Sequence, residues 1–311
     1  MDCTICQVFG LLKQRVRFGY TKVRAYHLLL ATKADTGEVL HSRLRGGSAV
    51  TAWGAAGFLA ETFSRMRRAG ATGLLTLRAD SGVSSKAVHA LCRGARVRCS
   101  VTARLDQTIQ LAIAVIPQAA WVPITCRSSS VTFGEDEQGQ PISGADVAEV
   151  PYTAFGKKGM RMRLIVRRVR PTPGSQLALF TEFRYHALVT DREGTTLELE
   201  ADHRRHAEVE AVIRDLKEGS GLAHLPSGRF AANAAWLAFS TMAHNLARWV
   251  LGIGLPGQLP VLTTTSRLRL CLFSVPGRRT RSARRQTLHL PQRWPWQGLF
   301  LAALSQVRAS T

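Results

Sequence analysis

The order of apolar segments and turn signals between residues 26 and 116 constrains the fold most strongly. An apolar stretch, Tyr26–Thr32, and an alternating stretch, Glu38–Arg45, flank the turn signal Ala34–Gly37 and together predict a β-hairpin. Beyond residue 70 the pattern changes to short apolar strands that alternate with helices, and such strands are usually parallel. The sequence therefore predicts the α/β class, with a mixed sheet flanked by helices.

Helix-capping residues and helix-breaking residues predict where the individual helices and strands begin and end. A long helix is predicted after the hairpin, over Ser48–Ala69, with Ser48 as its N-cap and Gly70 just beyond its end. The strands expected next are Leu74–Leu77 and Val97–Ala103, and the helices that follow them are Ser84–Arg93 and Gln107–Ile116.

The rest of the chain changes character twice. Residues 121–200 are rich in predicted strand, with a polar loop at Glu135–Gly144 and an alternation of apolar residues and arginines over Met160–Arg170. The helical pattern returns at His203, and little regular structure is expected beyond Pro256. We therefore expect four regions: residues 1–120, a β-rich insertion at 121–200, helices at 201–255 and a basic tail at 256–311.

The charge of the chain is far from neutral. Lysine and arginine total 42 against 21 acidic residues, for a formal net charge of +21 and a pI near 11.1. The 93 residues after Glu218 contain eleven arginines and no acidic residue. A solvated tail would account for this run, but a long positive region without internal partners also attracts phosphates. The balance favours a polyanion, above all nucleic acid, as the partner.

The cellular compartment is predicted from two signals that the sequence lacks, a membrane-spanning run and a signal peptide. An anionic membrane is the other possible polyanion, but no apolar run is long enough to span a bilayer, and the N-terminus lacks the layout of a signal peptide. We therefore expect a cytoplasmic, nucleoid-associated protein. Cys3 and Cys6 form a C-x-x-C pair without a second pair at zinc-ribbon spacing, so reduced, mostly buried thiols are favoured over a metal or redox role.

Two carboxylates stand out by position. Asp80 follows an apolar strand, and the carboxyl end of a parallel strand is a frequent site for chemistry, although taken alone this position favours a turn-forming Asp before a helix. Glu210 lies on a predicted helix beside the apolar stripe of Val209, Val212, Ile213 and Leu216. Its own stripe consists of His206, Glu210, Arg214 and Lys217. Spacing alone favours a solvated face with an ion pair between Glu210 and Arg214.

Three segments together resemble the signatures of insertion-sequence transposases with an Asp-Asp-Glu triad. They are residues 2–10 (DCTICQVFG), residues 77–82 (LRADSG) and the helix around Val209–Lys217; Tyr26–Gly46 and Ala243–Leu246 fit the same pattern. The resemblance runs over nearly the whole chain, and the joint order is far more specific than any one piece. It implies a ribonuclease-H-like catalytic core, made of residues 1–120 and 201–255 and interrupted by the β-rich insertion.

The resemblance also implies the chemistry. Asp2, Asp80 and Glu210 are the expected catalytic residues and metal ligands, holding two Mg²⁺ or Mn²⁺ ions. Hard cations of this type prefer carboxylate oxygens, and a metal pair supports phosphodiester cleavage by activating the nucleophile and stabilising the leaving oxygen. Lys217 and Arg214 are expected to contact the DNA backbone, which positions DNA without reading its sequence.

The sequence departs from the family pattern in two respects. The Tyr-Arg-Glu-Lys signature would place Tyr at His203 and Arg at His206, and only Glu210 and Lys217 agree with it. Both imidazoles can still donate to phosphate, so we expect them to bind DNA as well. Family members also carry a long region before the first aspartate, whereas Met1 directly precedes Asp2 here. The expectation is a truncated chain that is inactive, or nearly so, in transposition.

The function expected from this resemblance is metal-dependent cleavage and strand transfer of an insertion sequence. Double-stranded DNA, as transposon ends and as target, is the expected partner, and a homodimer is possible because such enzymes act on paired ends. A non-catalytic DNA-binding remnant or inhibitor, and a ribonuclease-H-like nuclease of another role, are the alternatives. Strand joining of a linear end would single out the transposase.

Overall fold

A computed structural model describes residues 1–10, 12–19, 21–124, 144–156, 158–172, 174–179 and 183–310. Cys126 and all but the last residue of the loop predicted at Glu135–Gly144 lie outside these residues. The chain divides into two compact units that interleave in sequence. The first unit comprises Met1 and residues 51–206, and the second comprises residues 2–50 and 207–311.

The elements confirm the α/β class. The strands, in chain order, are β1 (Asp2–Gln7), β2 (Arg17–Phe18), β3 (Arg24–Thr32), β4 (Val39–Gly46), β5 (Leu75–Ala79), β6 (Val97–Ala103), β7 (Val122–Ile124), β8 (Ala145–Ala154), β9 (Met160–Val169), β10 (Arg184–Thr190), β11 (Arg278–Ser282) and β12 (Arg285–His289). The helices are α1 (Ala55–Arg68), α2 (Lys86–Gly94), α3 (Gln107–Ala114), α4 (Thr196–Arg204), α5 (Glu208–Gly219), α6 (Phe230–Gly254), α7 (Thr265–Leu268) and α8 (Gln297–Ala309). The antiparallel strands β1 to β4 are followed by alternating helices and strands, as predicted.

The second unit is built on an antiparallel sheet. β3 pairs with β1, β2 and β4, with Asp2 opposite Leu30 and Leu30 opposite Ser42. The predicted hairpin is therefore confirmed as β3 and β4. Apolar side chains from this sheet and from α5 and α6 form one core, whose fully buried members include Tyr26, Leu28, Leu30, Leu216 and Leu222.

The first unit contains a mixed sheet of six strands, in the order β5-β6-β10-β9-β8-β7. β5 and β6 are parallel, as predicted, and the remaining pairs are antiparallel. Helix α2 begins where the hydroxyl of Ser85 accepts a hydrogen bond from the amide of Val88, at 3.3 Å. The β-rich character predicted for residues 121–200 is confirmed by β7 to β10.

Three of the four arginines on β9, Arg163, Arg167 and Arg168, form ion pairs within the first unit. Both oxygens of the Glu149 carboxylate accept hydrogen bonds from the Arg163 guanidinium at 2.6 Å, and this pairing lowers the pKa of Glu149. Arg168 binds Asp146 at 2.8 Å, and its guanidinium lies 4.3 Å from the ring centre of Trp121. The alternation of apolar and basic residues on β9 therefore reflects ion pairing across the sheet.

The start predicted for the first long helix is wrong. Helix α1 begins at Ala55, after Gly54 with a φ of 74°, and Ser48 does not cap it. The carbonyls of Ala49 and Val50, which a helix from Ser48 would use internally, are bound instead by side chains of the sheet. His27 Nδ1 lies 2.6 Å from the oxygen of Ala49, and Arg45 donates to that of Val50 at 3.1 Å.

The expectation of little regular structure beyond Pro256 is also wrong. This region contains α7, followed by a π-helical turn at Arg269–Phe273, the hairpin of β11 and β12, and α8. A second apolar core, which includes Leu251, Leu268, Cys271, Leu272 and Ala303, explains why α7 and α8 fold. Its members are scattered between glycines, prolines and arginines, so no single window shows their periodicity. Along the described ranges, none of the helices has both the length and the apolarity of a membrane span.

Asn245 on α6 provides a test of how the second unit is held together. Its side-chain oxygen accepts from the amide of Val39 at 2.8 Å, and its nitrogen donates to the carbonyl of Val39 at 2.9 Å. It thereby acts as a partner for the first residue of β4. We expect Asn245→Ala to lower the free energy of unfolding by about 1–3 kcal/mol, because two backbone groups lose their partner.

The measurement is urea unfolding followed by circular dichroism. The matched control is Gln258→Ala, which removes an amide from an exposed position. Equal unfolding midpoints for the two variants would contradict the anchoring role of Asn245.

Candidate active site

Asp2 lies on β1 in the second unit, half-buried, and one of its carboxylate oxygens accepts a hydrogen bond from the amide of Cys3 at 2.6 Å. Side chains of a strand alternate between faces, so Asp2 lies on the face of Cys6 and Val8. Both of those residues belong to the core that contains α5. Asp2 is thus on the side of the sheet that α5 covers.

The same alternation of side chains determines whether the two thiols of the C-x-x-C pair can share a metal. Cys3 and Cys6 are three residues apart on one strand and therefore lie on opposite faces. Cys6 is buried, its thiol donates to the carbonyl of Leu222 at 3.5 Å, and burial raises its pKa to about 11. A shared metal between the two thiols is excluded by this geometry. None of the described cysteines forms a disulfide, and all but the half-buried Cys3 are buried, as predicted.

Three contacts give the direction of α5 along the sheet. The amine of Lys217 donates to the carbonyl of Ile5 at 3.1 Å, and the thiol of Cys6 reaches Leu222 just beyond the helix. In the first half of α5, Val212 lies against the turn at Gly37, where an added Cβ would be 3.4 Å from the Val212 side chain. That turn follows the end of β3 that faces Asp2. The first turn of α5 therefore lies at the Asp2 end of the sheet.

Glu210 occupies that first turn. A helix rises about 1.5 Å per residue and a strand about 3.3 Å, so the seven residues from Lys217 back to Glu210 match the three from Ile5 back to Asp2. Glu210 is exposed and, among the described residues, forms no hydrogen bond or ion pair. The pairing with Arg214 that spacing allowed is therefore not formed. The carboxylate is available for a ligand at the end of the unit where Asp2 lies.

Lys217 and Arg214 differ in their surroundings. Arg214 is exposed, one helical turn from Glu210. Lys217 is half-buried and holds β1 through the Ile5 carbonyl. The contact with DNA that the sequence suggested for both residues stays a prediction, and for Lys217 it would have to coexist with this structural role.

A buried polar network fixes α5 against its neighbours. The two oxygens of Asp215 accept hydrogen bonds from the amide and the hydroxyl of Thr265, both at 2.7 Å. His244 Nδ1 lies 3.2 Å from the same carboxylate, and its Nε2 lies 2.9 Å from the carbonyl of Gly37. Burial by itself would raise the pKa of Asp215, but its hydrogen bonds with His244 and Thr265 hold it below the ordinary value. Gly219 is required here, since a Cβ would lie 2.8 Å from Asp215.

Sequence reasoning missed Asp215. It had one available signal: a carboxylate that interrupts the apolar stripe between Ile213 and Leu216. Such a residue is buried with the stripe and needs partners. The segment Ala243–Leu246 was noted only as part of a family pattern, and the structure shows that His244 and Asn245 anchor α6 to the turn and strand around Gly37 and Val39.

Asp80 lies in the first unit, directly after β5 and beside the parallel strand β6. A turn follows it, closed by a hydrogen bond from the amide of Val83 to the Asp80 carbonyl at 3.3 Å. Both the strand-end and the turn-forming interpretations are thus correct. One carboxylate oxygen, Oδ1, is buried and has no hydrogen-bond partner among the described residues. A buried carboxylate oxygen without a donor is costly, and a bound cation would relieve that cost.

His203 and His206 are not on α5, contrary to the predicted helix that carries His206, Glu210, Arg214 and Lys217 on one stripe. α4 ends at Arg204, a 3-10 turn covers residues 205–207, and α5 begins at Glu208. The capping box of Thr195 and Glu198 starts α4 earlier than predicted, and its helical register does not continue into α5. His206 therefore does not share a helical stripe with Glu210.

Both imidazoles are held in the uncharged form. The two ring nitrogens of His203 lie 2.8 Å from the Ser100 hydroxyl and 3.0 Å from the Thr102 hydroxyl, on β6. Burial is the main cause that lowers the pKa of His203 to about 4 and that of His206 to about 3. Binding of phosphate by His203 would require it to release one of these hydroxyls, and the DNA contacts of both histidines stay predictions.

A basic groove of about 890 Å³ lies where β6 begins and β10 ends. This is the end of the first unit's sheet opposite to the strand ends at which Asp80 lies. Six arginines line it: Arg93, Arg96, Arg98, Arg161, Arg163 and Arg192. Arg98, Arg163 and Arg192 are paired with carboxylates. Arg93, Arg96 and Arg161 are exposed and form no ion pair within the described ranges. The groove can therefore attract an anionic backbone.

The two uncharged histidines predict acid sensitivity. Their pKa in the folded chain lies below the ordinary value near 6.5, so the unfolded chain binds more protons below pH 6.5. Stability is therefore complete above about pH 6.5 and falls as the pH drops towards the folded values near 4 and 3. We expect the thermal unfolding midpoint to fall between pH 7.5 and pH 5, and His206→Gln to reduce this fall.

The control for this measurement is His224→Gln, at an exposed position. If His206→Gln and His224→Gln show the same pH dependence as the unsubstituted chain, His206 is not the group responsible.

Comparisons with known proteins show the family of the chain. No curated protein matches the chain. Among solved structures, the chain is similar to one described as a cryo-EM structure of piggyBac transposase synaptic complex with hairpin DNA, with 12% identity and a TM-score of 0.45. That match covers 86% of this chain and 50% of the other, so the chain spans half the length of that relative. A family model described as transposase DDE domain group 1 matches residues 1–311, and the chain therefore belongs to this family of DDE transposases.

Proposed function

We propose that the chain is a DNA transposase that carries out metal-dependent strand cleavage and strand transfer of an insertion sequence. Asp2, Asp80 and Glu210 are its catalytic carboxylates. The observation that carries the proposal is the unpaired Glu210 carboxylate at the Asp2 end of the second unit. Membership of the DDE transposase family supports it.

The carboxylates fit a divalent cation. Asp80 keeps one buried oxygen without a donor among the described residues, and Glu210 has no internal partner there. Three carboxylates suit Mg²⁺ or Mn²⁺, which prefer oxygen ligands. When bound, such ions supply Lewis acidity, which activates the attacking oxygen and stabilises the leaving oxygen of a phosphodiester.

The remaining residues position these ligands. Lys217 ties β1 to α5, so Asp2 and the first turn of α5 are held by one contact at Ile5. Asp215 fixes α5 to α6 and α7. Arg214, exposed one turn from Glu210, would bind the phosphate that flanks the cut. A functional group must keep its position within about 0.5 Å, which such supporting contacts provide.

Duplex DNA is the proposed substrate. Arg93, Arg96 and Arg161 leave the groove of the first unit with unpaired positive charge, and no acidic residue follows Glu218. Phosphate contacts of this kind bind DNA independently of sequence and weaken with salt. Strand transfer would use the same site, with a DNA 3′-hydroxyl in place of water.

Substitution of the carboxylates tests the proposal through metal binding. We expect Asp80→Asn and Glu210→Gln each to weaken Mn²⁺ binding at least about tenfold by calorimetry, because each removes one charged ligand. Both should also abolish Mn²⁺-dependent nicking of supercoiled DNA if the unsubstituted chain nicks it.

Glu218→Gln is the matched control, since Glu218 is an exposed glutamate on the same helix. A loss of Mn²⁺ affinity in this variant equal to that of Glu210→Gln would show that the metal binds by general charge alone. Unchanged Mn²⁺ affinity in Asp80→Asn and Glu210→Gln would refute the metal site.

We also propose that two copies of the chain pair through α6. Large apolar side chains that are 49% to 67% exposed recur along one face of this helix: Phe239, Met242, Leu246, Trp249 and Ile253. From Phe239 to Ile253 this face runs about 21 Å at 1.5 Å per residue. A contiguous apolar patch of this size marks an interaction surface, and a parallel or antiparallel copy of the same helix would cover it.

The pairing predicts a dimer in sedimentation velocity that dissociates in the variant Leu246→Glu/Trp249→Glu, because two charges would be buried at the contact. Leu111→Glu/Val115→Glu, on and beside α3, is the control, since it removes two exposed apolar residues elsewhere. A monomeric unsubstituted chain would exclude this pairing.

A further inference from the structure

The hairpin of β11 and β12 is exposed on both faces. Its register places Arg278 opposite His289 and Ser282 opposite Arg285, with Ala283 and Arg284 at the tip. All of its residues are exposed except the half-buried pair Thr280 and Thr287. A two-stranded hairpin without a covered face is only marginally stable in water. No residue of this hairpin belongs to the apolar cores of the second unit, so packing against them does not explain why the hairpin forms.

Both ends of the hairpin are anchored. The preceding π-helical turn contributes Cys271 and Leu272 to the second apolar core, and α8 contributes Ala303 after it. The chain therefore leaves this core at Phe273, forms the ribbon and returns to the core through α8. The ribbon is an arm with a fixed base.

The charge of the arm has no internal counterpart. Five of its twelve residues are arginines and none is acidic. These arginines form no ion pair with any residue in the described part of the chain. This contrasts with β9, where Arg163 and Arg168 bind carboxylates.

Arginines lie on both faces of the arm and at its tip. Because side chains alternate along a strand, Arg279 and Arg281 lie on one face, while Arg278 and Arg285 lie on the other. Arg284 extends the positive charge to the tip. A ribbon that meets anions on two sides at once fits a groove with two phosphate walls.

We infer that the β11–β12 hairpin is an arm that binds duplex DNA by entering its major groove. This inference rests on the proposed function, which supplies duplex DNA as the substrate. The major groove of B-form DNA, about 12 Å wide, admits a two-stranded β-ribbon. The arginines on the two faces then neutralise phosphates on the two strands.

Other polyanions fit the arm less well. Single-stranded nucleic acid is bound by stacking on aromatic rings, and the arm contains no Phe, Tyr or Trp. The major groove of an RNA duplex is too narrow to be entered. A membrane surface is bound through an apolar face, whereas Leu288 is the one large apolar residue of the arm.

The salt dependence of DNA binding tests the arm. In the arm-Gln variant Arg278, Arg279, Arg281, Arg284 and Arg285 are changed to Gln, and in the arm-Lys variant the same five residues are changed to Lys. Binding to a 30-base-pair duplex is measured by fluorescence anisotropy from about 50 to 200 mM salt. Each phosphate neutralised contributes about 0.9 to the slope of log K against log salt, so the arm-Gln slope should be smaller by about three to four.

The controls separate the arm from net charge. The arm-Lys variant should keep most of the slope, since lysine also neutralises phosphate. Arg65→Gln/Arg68→Gln removes two exposed charges from α1 and should change the slope by less than about one. Because the arm contributes nothing to the apolar cores, all variants should keep the circular dichroism spectrum of the unsubstituted chain.

The outcomes distinguish the inference from the proposed function. A steep slope in the unsubstituted chain that persists in the arm-Gln variant would overturn the arm and leave the proposed function intact. An unsubstituted chain with no affinity for duplex DNA would overturn both. Loss of binding to anionic vesicles or to RNA in the arm-Gln variant, with duplex DNA binding unchanged, would assign the arm to a different partner and overturn the inference.

Discussion

The buried carboxylate of Asp215 holds α5, α6 and α7 of the second unit together. It binds Thr265 at the start of α7 through both oxygens and lies beside His244 and Arg248 of α6. A buried charge is costly unless its partners are complete, and removing one partner leaves an uncompensated charge. The position of α5 relative to the sheet therefore depends on this network. Glu210 and the contact of Lys217 with β1 both lie on the helix that it fixes.

The two units use their arginines differently. In the first unit, β8 and α4 present carboxylates to three arginines of β9, so much of the positive charge is used to join these elements. In the second unit, the chain after Glu218 offers no carboxylate, and its buried arginine, Arg248, is bound by carbonyls and by Asp215. Its exposed arginines are concentrated on the β11–β12 hairpin. The net charge of +21 is therefore not spread evenly: unpaired arginines are concentrated on the β11–β12 hairpin, and such a concentration of positive charge attracts phosphates.

Sequence patterns predicted elements where local signals agreed with tertiary contacts. The strand Val97–Ala103 has the predicted bounds, and the hairpin of β3 and β4 differs from its prediction by two residues or fewer at each end. The prediction of α1 failed because His27 and Arg45 bind the carbonyls that would have started the helix earlier. α8 was missed because Ala303 is covered by residues distant in sequence.

The sequence by itself determined the α/β class, the family resemblance and the candidates Asp2, Asp80 and Glu210, because these depend on residue order and local periodicity. Only the tertiary structure decided which candidates have partners. It left Glu210 without an ion pair among the described residues, bound Lys217 to β1 and separated His206 from the helix of Glu210. Hydrogen bonding and burial are set by residues far apart in the chain, so the charge state of His203 and the role of Asp215 could not be read from spacing.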